Sequence, residues 1–191
     1  MSKIDWKRNP EDVGPKDLSP VREALRGLKG WAVAGGAAVT QFAPGRFTRD
    51  IDIVCLPDVA LAVVKKLEDH YHERGKSIPF AKRWELCSKV IRFERALIDV
   101  LVLRTNVATD VFPRGLPTDL SQDVPVVRKP ELCLLKMLAW RGRDEADVRR
   151  LVRTMLDADI EKAAKLIAKV IGESAAEAFR EIVEVERRPP F

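Results

Sequence analysis

Trp31-Ala32-Val33-Ala34-Gly35-Gly36, followed after a spacer by Arg46-Phe47-Thr48-Arg49-Asp50-Ile51-Asp52-Ile53, is the stretch on which the reading of this chain turns. Trp31–Ala34 is a short apolar run that predicts a strand. Gly35 and Gly36 follow it, and Ala37, Ala38, Val39, Gln41 and Phe42 then read as a helix. Two residues without Cβ at a strand-to-helix turn let backbone N–H groups come close to an anion. The start of a helix adds orphan donors and a partial positive charge. Taken alone, the glycine pair is also what a tight turn packed against a neighbour requires. Neither of the common phosphate-loop patterns, G-x-x-x-x-G-K-[ST] or G-x-G-x-x-G, occurs in the chain.

The spacer ends in Asp50-Ile51-Asp52-Ile53, which runs on into Val54-Cys55-Leu56. Side chains alternate along a strand, so Asp50 and Asp52 share one face while Ile51 and Ile53 point into a core. Two carboxylates on one face repel each other unless a cation sits between them, and aspartate is a poor strand former. Solvated acids on an edge strand are the plainer reading. With the glycine turn before them, the pattern favours Mg²⁺, a hard ion that takes one or two carboxylates plus phosphate oxygens and water. A third acid, Asp99, interrupts the otherwise apolar run from Ala96 to Leu103, which reads as a strand buried on both faces. An ionised carboxylate there must be paired or metal-bound, or burial raises its pKa and leaves it protonated. A three-carboxylate cluster of Asp50, Asp52 and Asp99 is the expectation. Two ions held by it about 3.5–4 Å apart would activate an attacking oxygen and stabilise a leaving one.

These residues resemble the nucleotidyltransferase superfamily that includes DNA polymerase beta and the minimal nucleotidyltransferases. The shared pattern is Ala34-Gly35-Gly36, then Asp50-Ile51-Asp52 between apolar residues, then Asp99 on a later strand. Within that superfamily the chain looks most similar to the AbiEii-like toxin group of type IV toxin–antitoxin systems. The likeness rests on Gly-Gly-Ala-Ala at 35–38, Arg46-x-Thr48-x-Asp50-Ile-Asp52, and a segment from Lys129 through Lys136 to Asp144 and Asp147. It covers roughly residues 30–155. It implies a Mg²⁺-dependent enzyme that moves a nucleoside monophosphate from an NTP to a hydroxyl acceptor and releases pyrophosphate. Gly35 and Gly36 would hold phosphate oxygens, and Asp50 and Asp52 would bind metal. Asp99 would bind one ion and help deprotonate the acceptor. Arg46 and Thr48 would contact phosphates. Lys136 would neutralise triphosphate charge, and Asp144 would position substrate or orient Lys136. Asp147 would support that pair, or simply occupy the first turn of a helix, where acids are favoured. The chain has Arg143 where the group usually has lysine. The toxin group implies an RNA acceptor, a tRNA 3′ end, and an antitoxin protein as partner. A small-molecule or protein acceptor, or a nucleotide-binding module without turnover, are the other readings. Without the resemblance, Lys136 on the apolar helix of Leu132, Leu135, Met137, Leu138 and Trp140 reads as a solvent-facing or snorkelling lysine.

At 191 residues and 46% hydrophobic composition the chain has enough apolar material for one packed core. No apolar run is long enough to span a bilayer, and the polar start Met1-Ser-Lys-Ile-Asp-Trp lacks a signal-peptide core. Cys55, Cys87 and Cys133 sit in or beside apolar segments without a C-x-x-C, which predicts buried reduced thiols and a cytoplasmic protein. His70 and His72 do not share a helical face and read as surface residues. The formal charge is +5. Arg141, Arg143, Arg149, Arg150 and Arg153, with Lys82, Arg83, Lys89, Arg92 and Arg95, would suit a nucleic acid if the fold gathered them beside the acids. Interspersed among 29 acidic residues, they equally read as ordinary solvated faces.

The expected organisation is an irregular arm over 1–18, a core over 19–127 and a helical region over 128–191 packed on it. Helices are predicted from Ser19-Pro20 to near Gly30, over 36–42, from Pro57 to about Glu73, and at 130–141, 144–156, 159–171 and 173–187. Strands are predicted at 31–34, 50–56, 86–94 and 97–103, and the segment from Thr105 to Val127 reads as mostly loop. The fold class is α+β, a small mixed sheet flanked by helices with a helical C-terminal part.

Overall fold

The computed structural model describes residues 16–43, 45–79, 86–112 and 115–188. Most of the expected arm, Pro44, and the basic pair Lys82 and Arg83 lie outside them. The elements in chain order are α1 (Ser19–Ala24), β1 (Trp31–Ala34), α2 (Gly35–Phe42), β2 (Ile51–Cys55), α3 (Ala60–Tyr71), β3 (Lys76–Ile78), β4 (Cys87–Phe93) and β5 (Ile98–Leu103). They continue with α4 (Thr105–Asp110), β6 (Thr118–Ser121), β7 (Val124–Val127), α5 (Lys129–Ala139), α6 (Asp144–Arg153), α7 (Asp157–Val170) and α8 (Glu173–Arg187). The strands form one mixed sheet in the order β3-β4-β5-β2-β1-β7-β6. This is the α+β arrangement the sequence predicts, with its helical C-terminal part.

The core of the sheet follows from composition. β1 and β5 are buried along their whole length. In β2, Ile51, Ile53, Val54 and Cys55 are buried and Asp52 is partly so. β1 and β2 pair antiparallel, β2 and β5 parallel, and β4 and β5 antiparallel. The register sets one rung that matters below: Ala34 pairs with Asp52, Asp52 with Asp99, and Asp99 with Arg92. Residues level with one another on neighbouring strands project from the same face, so one sheet face carries Asp52, Asp99 and Arg92 side by side.

The helices bury the faces that their spacing dictates. Val63 and Leu67 are the buried turn-apart pair of α3, which closes at His72 in the left-handed conformation. Ala163, Ala164 and Ile167 of α7 and Ala176, Phe179 and Ile182 of α8 recur at three- and four-residue intervals and are buried. α7 packs on both α5 and α8, while α5 and α6 pack on α2. Those last contacts bring the C-terminal helices to the glycine turn. Arg149 and Arg153 of α6 both reach Glu186 of α8, so two arginines of the basic cluster serve helix packing.

The expectation of mostly loop from Thr105 to Val127 does not hold. That segment holds α4 and a β6–β7 hairpin, and β7 extends the sheet by pairing parallel with β1 at Val33 and Val126. Its strands are four residues each, one carries Pro125, and Leu120 is exposed, so they show no clean alternation. The two-residue turn, Gln122-Asp123, has both residues at positive φ as a tight hairpin demands, without the Asn-Gly that usually announces one. β3 was likewise unread. α1 is shorter than expected and ends at Ala24, well before Gly30. The other helices and strands match their predicted positions to within a few residues at each end.

Candidate active site

The glycine turn is built around Asp52. Gly35 opens α2 at φ +58°, and a Cβ placed on it would fall 1.7 Å from Asp52 Oδ2. Both the dihedral and the space therefore demand glycine. A Cβ on Gly36 would lie 2.7 Å from an Arg46 guanidinium nitrogen and 3.0 Å from Thr48 Oγ1. The neighbour that the tight turn packs against is thus the acid-bearing segment itself. This joins the two halves of the decisive stretch into one unit at the start of α2, where helix N–H groups have no intrahelical acceptor.

Asp50 lies just before β2 and is exposed. Thr48 Oγ1 donates to its Oδ1 at 2.9 Å, so Thr48 orients a carboxylate. Among the described residues, no hydrogen bond or ion pair holds the Asp52 side chain. Burial, then the charges of Asp50 and Asp99, push its pKa up to about 6, against the pull of Lys136 and Arg141. Asp99 is 6% exposed and is held by Arg92, whose Nε and a terminal nitrogen donate to its two oxygens at 2.7 and 2.6 Å. The cost of burying this carboxylate is met by a bidentate guanidinium.

Behind the acid face lies a second charged cluster. Lys136 on α5 is 2% exposed. Its Nζ donates to Asp144 Oδ1 at 3.1 Å and to Asp147 Oδ2 at 2.7 Å, both on α6. It neither faces solvent nor snorkels. The backbone N–H and Nε of Arg141 donate to Asp144 Oδ2 at 2.8 and 2.9 Å. Burial opposes ionisation of Asp144, but the Arg141 hydrogen bonds and the Lys136 charge outweigh it and hold its pKa below the ordinary aspartate value. Arg46 Nε lies 2.8 Å from Asp147 Oδ1. That contact is Coulombic, because the N–H is not aimed along it. The cluster ties the spacer, α5 and α6 together beside the glycine turn. Asp147 is a full member of it, with no exposed role in the first turn of α6.

A cleft of about 930 Å³ opens over the acid face. Gly36, Asp50, Asp52 and Asp99 line its floor, and Arg46, Arg49, Arg92, Arg141 and Arg143 contribute to its walls, with Phe47 57% exposed among them. Of the ten basic residues that the sequence singles out as a possible nucleic-acid surface, Arg92, Arg141 and Arg143 line this cleft, while Arg149 and Arg153 pair with Glu186. The sequence reading passed over Arg49, and it saw Arg92 only as part of a charge run. The signal that would have singled out Arg92 is its place opposite Asp99, which only the strand register supplies.

The donor set suits a hard cation. Asp50 and Asp52 line an open cleft, and burial, with the neighbouring acids Asp50 and Asp99, raises the pKa of Asp52. Among the described residues, no three acid, imidazole or thiol side chains form a preformed metal cage. Two carboxylates completed by phosphate oxygens and water are the coordination that Mg²⁺ ordinarily accepts. The three cysteines are free and buried, and burial pushes Cys55 and Cys87 up to about 12. Such thiols are inert. His70 and His72 are exposed on the far end of α3. No helix among the described residues is long and apolar enough to cross a membrane.

No protein-family model matches this sequence, and no curated protein is significantly similar to it.

Proposed function

We propose that this protein is a magnesium-dependent nucleotidyltransferase that transfers a nucleoside monophosphate from an NTP to a hydroxyl acceptor. The observation that carries the reading is the packing of Asp52 directly on Gly35 at the start of α2. It sets a carboxylate with no bonded partner among the described residues beside the backbone donors of a helix start, at the floor of an open cleft. A triphosphate bridged to the acids by a divalent cation fits both halves of that arrangement.

In this reading Asp50 and Asp52 hold Mg²⁺, with Thr48 fixing the rotamer of Asp50. Bound there, the ion would offset phosphate charge and lower the pKa of the acceptor hydroxyl. The first-turn N–H groups of α2 take phosphate oxygens. Arg141 and Arg143 on the cleft wall offset further charge as the acceptor oxygen bonds to the α-phosphorus and pyrophosphate leaves. Phosphoryl transfer asks little more of a protein than positioning and charge neutralisation. Lys136 and Asp144 act from behind, holding α5, α6 and Arg46 in place rather than touching phosphate.

The arginine-lined cleft and exposed Phe47 favour a polyanionic acceptor that brings bases to stack, hence RNA over a small molecule or a protein. A tRNA 3′ end, and an antitoxin partner, follow only from the toxin-group resemblance. The test is incubation with Mg²⁺, each labelled NTP in turn and total cellular RNA, beside the Asp52→Asn variant. Label on RNA that disappears in the variant supports the reading. Absence of label on RNA, small-molecule and protein acceptors alike, with no Mg²⁺-dependent NTP binding, refutes it.

A further inference from the structure

Arg92, Asp99 and Asp52 occupy one rung of the sheet, on β4, β5 and β2 in turn. Neighbouring residues on a rung share a face, so the guanidinium, the buried carboxylate and the cleft carboxylate stand in a row. Arg92 meets Asp99 through two hydrogen bonds of 2.7 and 2.6 Å, while its side chain remains 45% exposed toward the cleft. The pair is therefore anchored at the carboxylate end and open at the guanidinium end.

Resting on the nucleotidyltransferase reading, we propose that Arg92 serves as the permanent cation of Asp99, so that the site works with a single divalent ion, on Asp50 and Asp52, and the guanidinium stands in place of a second. Three physical facts lead there. An arginine cannot shed its proton to make room for a metal. A divalent ion on Asp99 would face a fixed positive charge bonded to the same two oxygens, and in a partly desolvated cleft that repulsion is poorly screened. Charge balance agrees: three carboxylates are neutralised by one guanidinium and one divalent ion before the triphosphate and the wall arginines are counted. Asp99 is then a positioning residue that aims Arg92 into the cleft, and Arg92 is the group that meets substrate phosphate or acceptor.

The count of bound ions tests this independently of turnover. Full-length protein is saturated with a non-hydrolysable NTP analogue and titrated with Mn²⁺, and bound ions are counted by electron paramagnetic resonance. Wild type should bind one ion per bound nucleotide and show no spin-coupled Mn²⁺ pair. Arg92→Gln, which frees Asp99, should gain a second ion and the coupled signal. Asp99→Asn should keep one ion, since Asp99 is not a ligand, and it decides the matter if Arg92→Gln does not fold by circular dichroism. Two coupled ions in wild type, a count unchanged in folded Arg92→Gln, or loss of the ion in Asp99→Asn would each overturn the role of Arg92 and leave the nucleotidyltransferase reading standing. Absence of any nucleotide-dependent Mn²⁺ binding by wild type would remove both.

Discussion

The acid face of the cleft and the charged cluster behind it are built from the same residue types, and they differ in how their charge is settled. Around Lys136, Asp144 and Asp147, each carboxylate has a cation at ion-pair distance from within the chain, and the three residues are all but fully buried. At Asp50 and Asp52 a threonine hydroxyl is the bonded group and no cation is bonded among the described residues, and burial, then the charges of Asp50 and Asp99, raise the pKa of Asp52 to about 6. A network closed on itself does scaffolding. A face whose two carboxylates bond no cation among the described residues, open to a cleft of about 930 Å³, is where the proposed reading places a cation from outside. Asp99 lies between these cases: it is on the acid face, yet Arg92 closes its account from within.

Substitutions should pull the two regions apart. The largest effect belongs to the open face. Asp50→Asn or Asp52→Asn should lower transfer by about 10²–10³-fold or more, the scale on which removal of a charge-stabilising group acts, with a native circular dichroism spectrum. Retained activity in either variant would contradict the metal role. Next comes the closed cluster. Lys136→Ala leaves Asp144 and Asp147 buried and short of a cation, and should cost about 3–5 kcal/mol in urea unfolding. A cost below about 1 kcal/mol would show that the cluster is not structural.

A smaller effect has the opposite sign. The folded pKa of Asp52 is raised above its ordinary value of 3.8 to about 6, so between those values the folded state holds a proton that the unfolded chain has released. Stability therefore falls as pH rises through that window and stays lower above it. Asp52→Asn should make the metal-free protein more stable than wild type at about pH 8, by on the order of 2 kcal/mol, and by little at about pH 4. Unfolding in chelator at both pH values checks this, and a variant that is less stable at pH 8 would contradict it. The smallest effect is at the surface. Lys76→Ala breaks an ion pair to Glu94 in which both side chains are more than half exposed, and should change stability by less than about 1 kcal/mol.

How much of this was legible in the sequence depended on whether the signal was local. Gly35 and Gly36 followed by Asp50 and Asp52 gave the turn, the strand and the acid face, because each rests on spacing within one segment. The burial of Asp99 was readable from its apolar run, but the identity of its partner was not. Arg92 is seven residues away in sequence, and only the antiparallel register of β4 and β5 sets it opposite. Lys136 shows the same limit. Its helix is obvious, yet its burial depends on Asp144 and Asp147 arriving from the next helix. The β6–β7 hairpin escaped because its strands are short, carry Pro125 and Leu120, and turn through Gln122-Asp123. The helices of the C-terminal part, with strong amphipathic spacing, were legible almost throughout.

The most direct test of the contrast between an open acid face and a closed cluster is calorimetric titration of a non-hydrolysable NTP analogue. It is run on wild type, Asp52→Asn and Arg153→Ala, with and without Mg²⁺. Arg153 belongs to the packing of α6 on α8 and serves as the reference for a charge spent on structure. The account predicts Mg²⁺-dependent binding by wild type and Arg153→Ala, and none by Asp52→Asn. Equal binding by Asp52→Asn, or binding indifferent to Mg²⁺, would contradict the claim that these acids hold a metal–nucleotide complex.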